Sequence, residues 1–456
     1  MKTIVYTSTL GLVCMLAEMF NLRKFILPIA VLGLVAIFGL NATSWGVNQG
    51  FYHNMVMIDN YSTAFSGLLI LLTLFIVILS GNFYKNEESK ISDYLAIIIF
   101  TLCGALAMVS FGNMAMFFLG IEVLSISLYI LAGSKRKDVK SNEAAMKYFL
   151  MGSFASGVLL FGIALIYGET GSFDISKISD YATTATPTLL YYIGAGMILI
   201  AVLFKASVAP FHFWAPDVYE GSPTLTTATM ATVAKIAAFA GFYRLFSASF
   251  IPVMPAYAWV LSAVTALTLI IGNFSALNQD SFKRMLAFSG ISHAGYLMLG
   301  IVSLYGKTDN AILFYSVAYG VSSIAAFAVA IVVVANVGSE KFEAFNGLGK
   351  QKPLLAVAMT IAMLSMAGIP PFAGFFGKYY IFSEAVRNGH IALVVLAVIA
   401  SIVSVYYYFK VIVAMFTRES KEASFTIKPA YSFVIAVCIL ITVLAGLFPS
   451  VLANLL

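Results

Sequence analysis

The chain alternates long apolar runs with short polar breaks. A helix needs about 20 apolar residues to cross the hydrocarbon core of a bilayer, and only helices or closed barrels satisfy their backbone there. Fourteen stretches read as such helices: 3–20, 25–41, 60–82, 92–110, 113–132, 143–168, 187–219, 224–247, 254–277, 285–304, 309–336, 353–386, 391–416 and 431–453. The longest polar pieces between them, 42–59 and 169–186, read as loops too short to be a soluble domain. The first run opens at the N-terminus and is taken as a span, because Glu18 stands where a signal peptide would need small residues.

Two of these segments are too long for a simple span, and both contain proline. The first, 187–219, breaks at Val208-Ala209-Pro210-Phe211. The second, 353–386, breaks at Gly368-Ile369-Pro370-Pro371-Phe372. Proline removes a backbone hydrogen bond and opens a helix. At membrane depth an opened backbone persists only inside protein or beside a wet cavity. The two breaks lie about 160 residues apart, the same offset that relates spans 4–8 to spans 9–13. Each set has five spans with the break in its fourth. An odd number of spans inverts the second set, and paired broken helices in inverted repeats point to a transport site. The expected fold is therefore an all-α polytopic membrane protein of about fourteen transmembrane helices with two inverted five-helix repeats. Residues 1–91 form an N-terminal three-helix segment, 92–247 the first repeat, 254–416 the second, and 417–456 the last span.

Composition agrees: 61% of the 456 residues are hydrophobic and 10% charged, against roughly a quarter charged in soluble domains. The apolar surface is too large for polar residues to cover in water. The charges orient the chain. Loops after odd-numbered spans carry seventeen of the 26 Lys and Arg residues, Lys85, Lys90, Lys283 and Lys421 among them. The opposite side carries five: Lys2, Lys177, Arg244, Lys307 and Arg387. Cytoplasmic loops are enriched in Lys and Arg, so both termini are expected on the outer face of a bacterial inner membrane. Lys410 snorkels from span 13 toward the cytoplasm.

Three lysines, Lys205, Lys235 and Lys378, fall inside apolar segments, as does Glu122. Each such charge costs about 2.5–3.5 kcal/mol at a helix centre. They are either structural pairs gluing helices together or an ion or proton path, the usual role of ionisable groups at this depth. Their neighbourhoods favour a path. Glu122, Ser125 and Tyr129 share a helix face, Lys235 sits in a stripe with Ala228, Ala231, Thr232 and Ala238, and Ser289, Ser292, His293 and Tyr296 align at helical spacing. His293 is thus a relay candidate, the alternative being a satisfied core histidine. Cys14, Cys103 and Cys438 and the four histidines are too scattered for a cluster, haem or metal, and Gly374-Phe-Phe-Gly377-Lys378 fails as a phosphate loop. No cofactor is expected on this chain. Glu18 and Arg23 read as an interface ion pair.

Several stretches together carry a resemblance: FLGIEVLSISLYIL around Glu122, LFKASVAPFHFWAPDVYEGSP around Lys205, MATVAKIAAF around Lys235, NFSALNQDSFKRMLAFSGISHAGY from Asn273 to Tyr296, and MAGIPPFAGFFGKYYIF from Met366 to Phe382. The chain resembles, over essentially its whole length, the antiporter-like membrane subunits of respiratory complex I, the bacterial proton-pumping NADH:quinone oxidoreductase. Within that family it is most similar to the N-type branch. It has Lys378 where the M type has Glu, and it ends at Leu456 without the lateral helix of the L type.

The resemblance implies that Glu122 and Lys205 form a charge pair, Lys235 is the central proton carrier, His293 a polar relay, and Lys378 the carrier toward the outside. It implies that FMN, iron–sulfur clusters and quinone belong to other subunits, with quinone acting only indirectly here. The implied partners are other membrane subunits and the lipid bilayer, with no nucleic acid. Movement of Glu122 toward or away from Lys205 would decide whether that lysine keeps its proton. The proton would then pass by Thr232 or neighbouring hydroxyls to Lys235, and past His293 to Lys378. Lys and Glu suit this role where Arg, always charged, does not. An Mrp-type cation/proton antiporter subunit is the alternative within the same class. A membrane-embedded transferase is a third reading, with Asp217 and Glu220 as its only acidic candidates, without partners in the sequence.

Overall fold

Residues 1–20, 22–84, 91–304, 308–419 and 426–456 are described by a computed structural model. Lys85, Lys90, Lys307 and Lys421 of the charge sort lie outside the described residues. Helix dominates. Among the described residues nine helical runs are long and apolar enough to cross a membrane, and four shorter apolar helices accompany them.

The chain begins with α1 (Lys2–Ala17), α2 (Ile26–Ala42) and α3 (Asn60–Phe83). Asp59 starts α3: its carboxylate accepts the Ser62 N–H at 2.7 Å while the Asp59 N–H donates to the Ser62 hydroxyl at 2.9 Å, a reciprocal capping box. The expected loop 42–59 instead contains an antiparallel hairpin, β1 (Gln49–Phe51) and β2 (Val56–Ile58), with Gln49 opposite Ile58. Next come α4 (Ile91–Ser110), α5 (Met114–Ala132) and α6 (Val139–Thr170). The second expected loop contains a short helix, α7 (Ile175–Thr184), which buries Ile175, Ile178 and Ala182 along one face.

The first proline-bearing span divides as its sequence requires. Helix α8 (Leu189–Lys205) stops and α9 (Trp214–Gly221) restarts after Pro210. The next stretch is not one uniform α-helix. It consists of α10 (Thr224–Thr229), a π-helical turn over Met230–Ala234, and α11 (Lys235–Leu245). A second π turn (Phe246–Phe250) and a 3₁₀ turn (Ile251–Val253) carry the helical run into α12 (Met254–Leu277). Segments expected as two spans, 224–247 and 254–277, therefore succeed each other without an open loop. Pro252 and Pro255 lack the N–H groups an α-helix would use there, and the ladder changes pitch.

The chain continues with α13 (Phe282–Val302), α14 (Asp309–Val337), the one-turn α15 (Leu348–Gln351) and the second divided span, α16 (Pro353–Ala367) and α17 (Ala373–Arg387). It closes with α18 (Ile391–Thr417), α19 (Pro429–Leu447) and α20 (Ser450–Ala453). Burial ranks these helices. In their most apolar windows α13 is 100% buried and α14 89%, whereas α6 is 28% and α18 33%. Helices α13 and α14 are the hub, and α6 and α18 turn much of their surface outward. Small residues permit the tight packing that replaces the hydrophobic effect in lipid. A Cβ at Gly272 would sit 2.5 Å from the Ser292 backbone nitrogen, so α12 lies directly against the polar face of α13.

Three charge assignments change. Arg244 does not lie in an exposed outer loop. It is buried in α11, pairs with Asp59 at 2.9 Å and donates to the Phe111 carbonyl at 2.8 Å. Lys283 is likewise buried, donating to the Ser222 carbonyl and to Glu340, each at 2.8 Å. Asp217 and Glu220, unpartnered in the sequence, are both held by Arg284, at 3.0 and 2.8 Å, and Asp217 also by Lys147 at 2.9 Å. Loop position and charge exposure coincide less often in a packed bundle than on an isolated helix. Glu18 and Arg23 do form the expected ion pair, with Ser92 adding a hydrogen bond to Glu18.

Candidate functional site: a line of buried lysines

Lys205 is the last residue of α8, where the helix stops because Ser207 turns into left-handed backbone (φ 58°) and Pro210 comes three residues later. The amine donates to the Ser125 hydroxyl at 2.6 Å, with the Tyr148 hydroxyl at 3.4 Å. Tyr148 is held by stacking on Trp214, the first residue of α9 (4.5 Å between centroids, 7° between planes). The indole N–H of Trp214 in turn donates to the Phe204 carbonyl at 3.0 Å. The two halves of the broken helix thus grip each other through the lysine's aromatic wall.

Glu122 lies one turn before Ser125 on α5, half-buried, and accepts a hydrogen bond from Ser156 of α6. Its charge acts on Lys205, yet the two make no direct ion pair in this arrangement: Ser125 holds the amine and Ser156 the carboxylate. A crevice between α5, α6 and α8 is lined by Ser125, Tyr129, Ser156 and Lys205.

Lys235 comes directly after the π turn of Met230–Ala234. A π turn inserts an extra residue and rotates the side chains beyond it, a device common at functional positions. The Lys235 amine donates to the Gly290 carbonyl of α13 at 2.7 Å, and the Tyr219 ring lies 6.0 Å away. A Cβ on Gly290 would stand 3.0 Å from that amine, so any larger residue would push the amine aside. Thr232, expected to help relay the proton, turns its hydroxyl to its own helix, donating to Ala228 at 2.7 Å.

His293, one turn beyond Gly290, bridges two tyrosines. Its Nδ1 lies 2.6 Å from the Tyr315 hydroxyl and its Nε2 3.0 Å from that of Tyr408. Tyr408 also bonds Ser289. Gly290, whose carbonyl receives Lys235, is one turn away on the same helix, and His293 shares a crevice with Lys378. A second crevice, lined by His293, Tyr315, Tyr319, Ser365 and Lys378, leads onward. There the Lys378 amine donates to the Ala367 carbonyl at 2.8 Å and the Ser401 hydroxyl at 2.7 Å, with the Tyr296 ring 4.6 Å away. Its far side meets a cavity of about 600 Å³ lined by Gly368, Phe375, Phe382, Ser383 and Arg387.

Of the five residues singled out in the sequence, the structure brings Glu122 and Lys205 to the first break through Ser156 and Ser125, and Lys235, His293 and Lys378 to α13 and the second break. The lysines are 9%, 2% and 5% exposed for Lys205, Lys235 and Lys378. Among the described residues none of the three has a carboxylate within ion-pair distance. Each ammonium is held by neutral oxygens. Sequence pattern did not single out Ser156, Gly290, Tyr315, Ser401 or Tyr408, which hold these groups from other helices. The run Tyr406-Tyr407-Tyr408 within an apolar helix was the one available signal.

Comparison with known proteins gives this arrangement its family. Residues 112–404 match the family described as NADH:quinone oxidoreductase/Mrp antiporter, TM. The chain is 50% identical to NADH-quinone oxidoreductase subunit N of Flavobacterium psychrophilum, over 100% of both chains. It superposes on a chain of respiratory complex I from Thermus thermophilus at TM-score 0.85 and 33% identity, covering 99% of this chain and 98% of that one. A chain of the Mrp complex from a Dietzia species shares the fold, at TM-score 0.86 and 23% identity, with 99% and 94% covered. With the matched residues enclosing both breaks and all three lysines, the chain belongs to the antiporter-like membrane subunit family of NADH:quinone oxidoreductases, in its subunit N branch.

Proposed function

We propose that this chain translocates protons as the antiporter-like membrane subunit of a proton-pumping NADH:quinone oxidoreductase, through Glu122, Lys205, Lys235, His293 and Lys378. One observation carries the reading: three ammonium groups are buried, each held by hydroxyls or carbonyls, and among the described residues none has a carboxylate within ion-pair distance. An ion pair kept for stability would be closed, because the desolvation of two charges is offset only by direct contact. Groups held by neutral oxygens can release and regain protons without breaking such a pair.

The electron transfer takes place on other subunits, where FMN, iron–sulfur clusters and quinone reside, and this chain converts its energy into proton movement. Glu122 is the receiving end. Bringing its carboxylate to about 4 Å from Lys205 at an effective dielectric near 20 is worth about 4 kcal/mol, enough to decide whether Lys205 holds its proton. Withdrawal toward Ser156 reverses the effect. The proton passes to Lys235, then by Tyr408, His293 and Tyr315 to Lys378, whose cavity faces the outlet. The fourteen spans comprise two inverted five-span repeats, 92–247 and 254–416, preceded by 1–91 and succeeded by 417–456. The matching breaks at 206–213 and 368–372 support this arrangement. Both termini face outward from a bacterial plasma membrane, and the outward faces of α6 and α18 meet lipid or other membrane subunits.

Lys235→Ala tests the assignment. The complex assembles, and proton uptake into vesicles per NADH oxidised falls more than about tenfold. Normal pumping by an assembled Lys235→Ala complex would overturn it. A requirement for sodium in place of quinone reductase activity would favour the Mrp-type reading.

A further inference from the structure

Two of the buried amines face aromatic rings, and those rings touch one another. The Lys205 amine lies 5.5 Å from the centre of the Tyr148 ring. Tyr148, on α6, stacks on Trp214 at 4.5 Å. Trp214 meets the Tyr219 ring edge to face, with 6.3 Å between centroids and 70° between planes. The Tyr219 ring in turn lies 6.0 Å from the Lys235 amine. Both ring–ring contacts have the geometry that aromatic pairs favour. Both amines lie within the reach of about 6 Å over which a ring face attracts an ammonium. Three buried rings thus run unbroken from one lysine to the next.

Trp214 and Tyr219 both belong to α9, the half-helix that restarts after the first break. One short helix therefore touches both lysine sites. Its far end is tied down: Arg284 of α13 holds Asp217 and Glu220, Lys147 of α6 holds Asp217, and the Thr227 hydroxyl donates to the Tyr219 carbonyl at 2.8 Å. Its near end follows the open backbone of 206–213. Close packing passes a displacement of one ring to the next.

We propose that Tyr148, Trp214 and Tyr219 are positioning residues that form a bridge through which the charge on Lys205 sets the hold on Lys235. This rests on the carrier roles of those two lysines. The charged amine attracts a ring face and the neutral amine does not. When Lys205 gives up its proton, the pull on Tyr148 ends. Trp214 and α9 then lean toward Lys235, and the Tyr219 face stabilises the charge that arrives there. The bridge carries no proton itself; it orders the two steps.

Ring fluorination tests this, because fluorine draws electron density from the ring face and weakens its pull on a cation while changing its shape little. In the whole complex in proteoliposomes, Tyr219→Phe keeps proton uptake per NADH oxidised within about twofold. The same phenylalanine carrying three ring fluorines lowers uptake about threefold further, and one fluorine gives an intermediate loss. Fluorinating the ring of Tyr148→Phe lowers uptake by a similar factor. Fluorinating both rings lowers it no further than either alone, because the two act as one unit. Uptake unchanged along the fluorine series would overturn the bridge and leave the rings as packing, with the lysine roles intact. Losses that multiply in the doubly fluorinated complex would make the rings independent walls and overturn it as well. So would a Tyr219→Phe complex as slow as its fluorinated forms, which would assign the effect to the hydroxyl. Normal pumping by Lys205→Ala or Lys235→Ala would instead remove the carrier reading on which the bridge rests.

Discussion

The two divided spans solve one problem in two ways. In both, a lysine lies near the C-terminal carbonyls of the first half-helix: Lys205 in the last turn of α8, and Lys378 reaching back from α17 to the final carbonyl of α16. Carbonyls at a helix end carry partial negative charge and favour a cation. The backbone device is thus shared. The surroundings are not. Lys205 is walled by Tyr148 and Trp214, and a carboxylate one helix turn from its Ser125 partner acts on it. Lys378 has no carboxylate beside it among the described residues, and it faces a wide cavity. The two breaks therefore hold the same kind of group in different surroundings, one near a carboxylate and one beside a wide cavity.

The largest effect comes from removing either amine. Lys378→Ala and Lys205→Ala each reduce vesicle acidification per NADH oxidised by about tenfold or more. If Lys378→Ala alone is silent, the two breaks are not functional counterparts. Glu122→Gln separates them next. It keeps a hydrogen-bond partner for Ser156 but removes the charge, and we expect about a fivefold loss of pumping, read as proton release at the outer mouth. Pumping at the unsubstituted rate in an assembled Glu122→Gln complex would remove the carboxylate from the site at the first break. Gly290→Ala comes third. Its added methyl stands 3.0 Å from the Lys235 amine, which must shift from the carbonyl it now bonds, and pumping falls about threefold while assembly persists.

The smallest effect on pumping lies outside both breaks. Asp59 caps α3 and pairs with buried Arg244. Burial alone would raise its carboxyl, but Arg244 and the Ser62 hydrogen bonds hold it below the usual carboxylate range. A carboxyl lowered by folding contributes stability that is present above its unfolded value, about 3.9, and lost as pH falls through the lower folded value. Asp59→Asn costs about 1–2 kcal/mol at neutral pH, read as a lower melting temperature. The difference from the unsubstituted protein shrinks as pH falls below about 4, and pumping by the assembled complex is unchanged. A large pumping defect without loss of stability would place Asp59 on the proton course.

Much of the architecture was legible because the bilayer imposes a simple rule. Apolar runs such as 60–82 and 309–336 correspond closely to α3 and α14, since nothing else satisfies a backbone in lipid. The breaks at Pro210 and Pro371 were legible for the same reason: a missing N–H acts locally. The hairpin of β1 and β2, helix α7 and the π turn before Lys235 were not. The hairpin rests on cross-strand pairs, α7 on burial against neighbours, and the π turn on how Lys235 must point toward α13, and none of these is a local property. Arg244 and Lys283 were read as loop charges because the sign of a residue is visible in sequence while its partner is not.

Which groups carry charge inside the membrane is determined by the sequence alone. Lys205, Lys235, Lys378 and Glu122 stand out because each costs insertion energy that apolar neighbours cannot offset. How those charges are held is decided by the tertiary structure. Ser125 receives Lys205 while Ser156 donates to Glu122, a glycine carbonyl receives Lys235, two tyrosines from other helices bracket His293, and Ser401 receives Lys378. These partners lie far apart in the chain, and hydrogen bonds have a reach of about 3 Å. Only the packing of α5, α6, α8, α11, α13, α14, α17 and α18 around one another brings them within it.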